Sequence, residues 1–177
     1  MKIFKTKFKD LKLIQQKSYS DKRGSLKITH NQKNLNKKFV LEYCTTSLKN
    51  SLRGFHFQYK NPQAKYVTVL KGKILDCVID LRKNSKTFGK VYKVVLSDKN
   101  NLALYIPEGF AHAYYSYEKL NIIYYKLTNF YYPKYEDGIL SVNNGLKIKW
   151  PVGKKIISKK DRGLKTFSEF KKIYKFL

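Results

Sequence analysis

The chain is expected to be all-β, a sandwich or jelly roll with a short helical segment near its C-terminus. Three observations predict this. Short runs rich in β-branched and aromatic residues recur through the middle of the chain, polar or Gly/Pro turns separate them, and helix-start signals stay weak until the C-terminal end.

Tyr66–Leu70 and Lys73–Leu81 read as strands flanking Lys71-Gly72, a hairpin turn. Gly89–Leu96 is the next strand, followed by the polar turn Ser97-Asp98-Lys99-Asn100-Asn101 and the strand Leu102–Ile106. Pro107-Glu108-Gly109 breaks the chain before Phe110–Tyr117. The turn Glu118-Lys119-Leu120-Asn121 then leads into an aromatic run, Ile122–Tyr132. Thr166 or Ser168 is placed to cap a short helix through Tyr174. No internal repeat, linker or second domain is visible, so residues 1–177 are expected to form one domain, long enough to bury a core.

Apolar residues make up 42% of the chain and aromatics 15%, too rich in core formers for disorder. A net charge of +26 raises the question of nucleic acid, because neutralising phosphates needs a basic footprint. The cations, however, are almost all lysine and are spread from end to end, alternating with apolar residues as at Lys71, Lys73, Lys90 and Lys93. Arginine, the residue suited to bidentate reading of bases and phosphates, stands only at Arg23, Arg53, Arg82 and Arg162. The pattern is that of a solvated surface whose field draws in small anions, and no nucleic-acid partner is expected. Cys44 and Cys77 are too few and too far apart for a disulfide framework or a zinc knuckle. With no apolar leader at the N-terminus and no window of about 18 apolar residues, the expectation is no membrane partner and a cytoplasmic location.

The chemistry concentrates in Leu52–Lys65, where Arg53, His56 and Lys65 lead into the apolar run at Tyr66. A histidine between two cations suits a base that takes a proton beside a developing anion, although a solvated loop with a satisfied histidine fits the same residues. Pro107-Glu108-Gly109-Phe110-Ala111-His112 matches the second metal-binding segment of a cupin, but His56-Phe57-Gln58 has glutamine where a second histidine is required. The third histidine, His30, lies in a polar loop, and two histidines without a carboxylate at matching spacing make a poor transition-metal site, so no metal is expected.

These pieces, in their order, resemble a known family. They are Asp21-Lys22-Arg23-Gly24, Leu52-Arg53-Gly54-Phe55-His56-Phe57-Gln58, Ala64-Lys65, Asp80 to Gly89, Leu104 to His112, Tyr125-Lys126-Leu127-Thr128, Trp150-Pro151 and Ile157-Ser158-Lys159-Lys160-Asp161. The chain resembles the nucleotide-sugar 3,5-epimerases, the family of dTDP-4-dehydrorhamnose 3,5-epimerase. The resemblance implies a cupin-like jelly roll (a double-stranded β-helix), a homodimer, and catalysis without metal or cofactor on a nucleoside-diphosphate 4-keto-6-deoxy sugar. It implies His56 as the base, Asp161 as the carboxylate that orients it, Tyr125 as the acid on the opposite face of the sugar, and Lys65 as the group that stabilises the enolate. It also implies substrate-binding roles for Arg53, His112, Glu136 and Lys160 around the sugar, and for Arg23 and Tyr131 at the nucleotide.

The residues by themselves leave some of this open. Alternation along Ile122–Lys126 puts Tyr124 and Tyr125 on opposite faces, so only one points inward. Asp80 is a second candidate partner for His56, unless it pairs with Arg82. The chain also departs from the family pattern in nucleotide recognition: Ile28 stands where a glutamate contacts the nucleotide, and Leu41-Glu42-Tyr43 replaces Gln-Asp-Asn. Apolar Ile28 and Leu41 cannot supply the missing hydrogen bonds, which points to a differently labelled sugar or a looser site. A non-catalytic jelly-roll module that binds a sugar or nucleotide is the competing reading, and joint presence of His56, Lys65, Tyr125 and Asp161 argues against it.

Overall fold

A computed structural model describes residues 1–174. Two antiparallel sheets face each other in a jelly roll. One has six strands in the order β1 (Lys2–Lys5), β2 (Lys12–Gln15), β10 (Leu102–Ile106), β7 (Lys65–Lys71), β12 (Leu120–Leu127) and β5 (Leu41–Leu48). The other has five, in the order β13 (Glu136–Gly138), β6 (Leu52–Gln58), β11 (Phe110–Ser116), β8 (Lys73–Asp80) and β9 (Val91–Ser97). A separate hairpin joins β3 (Ser18–Asp21) to β4 (Gly24–Lys27).

Alternation along the strands builds three apolar layers. Between the sheets lie Val67 and Val69 of β7, Ile74 and Val78 of β8, Tyr114 of β11, and Ile123, Tyr125 and Leu127 of β12. The outer face of the five-stranded sheet offers Phe55, Phe57, Cys77 and Ile79, which the C-terminal segment covers with Phe170 and Trp150. Trp150 sits tilted against Phe55, with ring centroids 6.0 Å apart, and its indole N–H donates to the Ser141 carbonyl at 2.7 Å. Loop 28–40 covers the outer face of the six-stranded sheet with Leu35 and Phe39 over Ile14, Tyr66 and Tyr105.

Most expected strands lie within a residue or two of their expected places. Three differences have physical causes. The run Ile122–Tyr132 is strand only to Leu127, because Pro133 opens a 3-10 turn at Pro133–Tyr135 and Gln58 and Gln63 side chains hold the Phe130 carbonyl away from the ladder. Gln58 Oε1 also accepts the Tyr132 N–H at 2.9 Å. Second, Leu52–Gln58 is not a loop but strand β6, paired on one side with β11 and on the other with β13. Third, His30 is not simply part of a polar loop, since its ring is wedged edge-on between Phe39 and Tyr66. The C-terminal helix is α2 (Phe167–Ile173), and Thr166 rather than Ser168 caps it, in a reciprocal capping box with Glu169. A single turn, α1 (Lys159–Arg162), precedes it, with Ser158 as its cap. Cys44 is exposed and Cys77 buried, and both are free thiols. Among the described residues no helix is long and apolar enough to cross a membrane.

Candidate active site

The site forms at one end of the space between the sheets. On β6, alternation points His56 into this space, and its direct partner on β11 is His112. A bulge between these two strands sets two residues of β6, Gly54 and Phe55, against one of β11, Ala113, so Arg53 pairs with Tyr114 and faces the same side as His56. The Arg53 guanidinium thereby reaches across to the Thr46 carbonyl of the facing sheet at 3.1 Å. On β13, Glu136 and Gly138 pair with Gln58 and His56, which brings the Glu136 carboxylate to 4.0 Å from His56 Nδ1.

Asp161 reaches the same place from α1. One oxygen meets His56 Nε2 at 2.9 Å, and the other accepts the Gly54 N–H at 3.0 Å. Burial alone would raise this carboxyl, but hydrogen bonds from His56 and Gly54 outweigh it and hold Asp161 below the ordinary carboxylate range. An ionised carboxylate only accepts, so Nε2 carries the imidazole proton and Nδ1 the lone pair. The alternative partner, Asp80, is elsewhere: it takes a bidentate pair from Arg82, with Nε at 2.9 Å and Nη2 at 2.8 Å, plus the Ser85 and Thr87 hydroxyls.

The facing sheet supplies Tyr125 and Lys65. Tyr125 is the inward member of its pair, 3% exposed, while Tyr124 turns outward to Glu42. Burial first, then the neighbouring Tyr114 and Tyr43 phenols and Asp76, push the Tyr125 phenol well above its usual range, so it is protonated at neutral pH. Lys65 pairs with Leu127 and points inward beside it. Burial drives its ammonium down to about 8 against the opposing pull of Glu136 and Asp76. His112 connects the two walls: its ring stands edge-on to Tyr125 at 6.0 Å, and Nε2 meets Asp76 Oδ2 at 2.8 Å.

Lys160 pairs with Glu136, and the Tyr131 hydroxyl donates to the same carboxylate at 2.9 Å. Burial opposes the ionised form of Glu136, yet Lys160, His56 and Tyr131 together hold it below the ordinary range. Thus the structure gathers His56, Asp161, Arg53, Glu136, Lys160 and Tyr131 on one wall, with His112 linking them to Tyr125 and Lys65 opposite. Arg23 is not in this group. It lies on the β3–β4 hairpin, its side chain 90% exposed, and pairs with Asp21.

Two further residues belong here: Asp76, for which no role was expected, and Tyr43, expected only as part of the changed nucleotide-recognition segment. Asp76 interrupts the apolar run Ile74–Ile79, and that break was the available signal. Tyr43 stacks on Tyr125 with centroids 4.9 Å apart and planes at 24°, a contact set by the β5–β12 register, which leaves no local mark.

The arrangement offers a histidine base with a fixed lone pair on one wall, and a protonated phenol with a cation on the other. A proton can be removed from one face of a bound molecule and returned to its opposite face. The sequence profile of the dTDP-4-dehydrorhamnose 3,5-epimerase family matches residues 5–169. The chain is 39% identical to the Methanothermobacter thermautotrophicus protein of that name over 176 residues, covering 95% of each. Among solved structures it is similar to the Elizabethkingia anophelis dTDP-4-dehydrorhamnose 3,5-epimerase (36% identity, TM-score 0.88, covering 96% and 97% of the two chains). It is also similar to the Legionella pneumophila dTDP-6-deoxy-D-glucose-3,5-epimerase, solved with dTDP-4-keto-L-rhamnose (34%, TM-score 0.89, 94% and 93%).

Proposed function

The chain belongs to the dTDP-4-dehydrorhamnose 3,5-epimerase family and is a nucleotide-sugar epimerase, and from that premise we propose how its own residues carry the reaction. In a 4-keto-6-deoxy sugar the C–H bonds at C3 and C5 are acidic because the anion left behind delocalises into the carbonyl. His56 Nδ1 removes such a proton, while Asp161 on Nε2 fixes the tautomer and stabilises the imidazolium. Lys65 meets the charge that gathers on the enolate oxygen. Tyr125 returns a proton from the other side, inverting the centre. The single observation that carries this assignment is the 2.9 Å His56–Asp161 contact, set on the sheet opposite Tyr125 and Lys65.

The relatives' names supply the substrate class, a thymidine-diphosphate-linked 4-keto sugar. Arg53, His112, Glu136 and Lys160 surround the sugar, and Tyr131, 47% exposed, offers a flat face to the base. The reading includes a homodimer, supported by Tyr19 and Leu26, which are 57% and 61% exposed beside Arg23 on the hairpin. Arg23 then serves the nucleotide from a second copy. The test is incubation in D₂O with dTDP-, GDP-, CDP- and UDP-linked 4-keto-6-deoxy sugars, followed by NMR. Deuterium at C3, C5 or both, with at least one nucleotide, is the expected result. No exchange with any of the four leaves a binding module as the better description.

A further inference from the structure

We propose that Tyr43 is a positioning residue for the epimerisation, its ring holding that of Tyr125 so that the Tyr125 hydroxyl delivers its proton to the correct face of the sugar. The inference rests on the role given above to Tyr125. Tyr43 on β5 and Tyr125 on β12 are direct cross-strand partners, and both point into the space between the sheets. Their rings are stacked, 4.9 Å between centroids and 24° between planes. Tyr125 is 3% exposed and Tyr43 40%, and β5 is the edge strand, so Tyr43 stands between the proton donor and the open edge of the six-stranded sheet. From the other flank His112 meets Tyr125 edge-on, at 6.0 Å and 66°. Tyr125 is therefore gripped between one stacked and one edge-on ring, both favoured aromatic geometries.

The grip matters because inversion and exchange make different demands. Exchange needs only His56 and a stabilised enolate. Inversion also needs a donor correctly placed on the far side, and a displacement of about 1 Å at such a group can cost about a hundredfold. Burial, reinforced by Glu136, Tyr114 and Tyr131, pushes the Tyr43 phenol up to about 12, so the stacked partner stays neutral through the working range.

The test compares wild type, Tyr43→Phe, Tyr43→Ala and Tyr125→Phe in D₂O with the thymidine-diphosphate-linked 4-keto-6-deoxy sugar. NMR separates deuterium incorporated with inversion from deuterium incorporated with retention. Tyr43→Ala is expected to lose inversion by about ten- to a hundredfold while total exchange stays within about threefold. Tyr43→Phe keeps the flat face and is expected to behave as wild type. Tyr125→Phe is expected to show the Tyr43→Ala signature, more fully. Should Tyr43→Ala prove unstable by thermal melt, Tyr43→Leu keeps bulk without a flat face and gives the same reading. If Tyr43→Ala or its Leu substitute keeps the wild-type ratio of inversion to exchange while Tyr125→Phe loses it, the proposal for Tyr43 is overturned and the role of Tyr125 stands. A fall in Tyr43→Phe as deep as in Tyr43→Ala also overturns it, because the hydroxyl and not the stack then acts. Wild-type inversion by Tyr125→Phe, or no exchange by the wild type with any of the four nucleotide-linked sugars, removes the underlying reading and this inference with it.

Discussion

Asp161 performs two tasks with one carboxylate: it holds the proton on His56 Nε2, and it satisfies the Gly54 N–H of the strand that carries the base. In the proposed mechanism the first serves the base, and the second holds the strand in place. In Asp161→Asn the amide oxygen stays on the Gly54 N–H, which can only donate, and the NH2 faces His56 Nε2, which must then accept, so the imidazole is held in the wrong tautomer. We expect exchange to fall by up to about 10⁴-fold, the cost of the wrong tautomer at a histidine base, with a melting temperature that moves little. His56→Ala removes the base itself. Its exchange at every carbon should fall by about 10²–10⁴-fold with nucleotide affinity largely kept, and wild-type exchange in that variant would remove the mechanism. Lys65 makes a pH prediction. Its useful form is the cation, and that form is lost as pH rises through about 8. kcat/KM, which reports the free enzyme, should therefore fall on the alkaline side near that value. In Lys65→Arg, whose guanidinium stays charged, the fall should disappear from the profile even if the absolute rate is lower. A wild-type profile flat to about pH 10, near the ordinary lysine value, would show that Lys65 is not the group titrating.

Strand β6 joins the core to the chemistry, and Gly54 is its tightest point. A Cβ there would run into the His112 carbonyl oxygen and the Ala113 backbone, at a φ of +102° that side chains rarely adopt. Gly54→Ala should lower stability by about 2–4 kcal/mol, read as a lower melting temperature, and should impair exchange because the Asp161 contact shifts with the strand. Element by element, the sequence was legible where pattern and packing agreed. Runs such as Leu102–Ile106 are bounded by Asn and Pro and could hardly be anything but strands, and Thr166 with Glu169 three residues later announced α2. The N-terminal strands were not legible, because Lys2–Lys5 and Lys12–Gln15 place lysine or glutamine at both ends of two apolar residues and resemble the surrounding lysine-rich chain. The site followed the same division. Roles for His56, Lys65, Tyr125 and Asp161 came through the family resemblance of the segments that hold them, and spacing alone did not mark Tyr125 or Asp161. Asp76 and Tyr43 matter only through partners in other strands, and the order β10-β7-β12-β5 is a non-local fact that no window of sequence contains.

At the scale of the molecule, the +26 charge and the altered base-reading positions act on the same ligand in different ways. The field attracts any diphosphate alike and fades with salt. Leu41 packs against the core between the sheets, and Ile28 sits half-buried at the base of the hairpin, so neither supplies a hydrogen bond to a nucleobase. Each missing bond is worth about 1–3 kcal/mol. Calorimetry at moderate salt should therefore find the thymidine, guanosine, cytidine and uridine diphosphates within about tenfold of one another, or about 1.4 kcal/mol. Thymidine diphosphate tighter than the rest by a hundredfold would mark this protein as an ordinary reader of its base. The position of Trp150 has a different consequence. It is the one tryptophan among 15 tyrosines, and it leans on Phe55, the neighbour of His56 in the chain, from the side away from the substrate. Excited selectively, it is an unlabelled lamp fixed to the back of β6: a red shift of its emission reports when the C-terminal cover lifts from that strand, and a change in its brightness on adding nucleotide sugar reports what the strand that carries His56 feels.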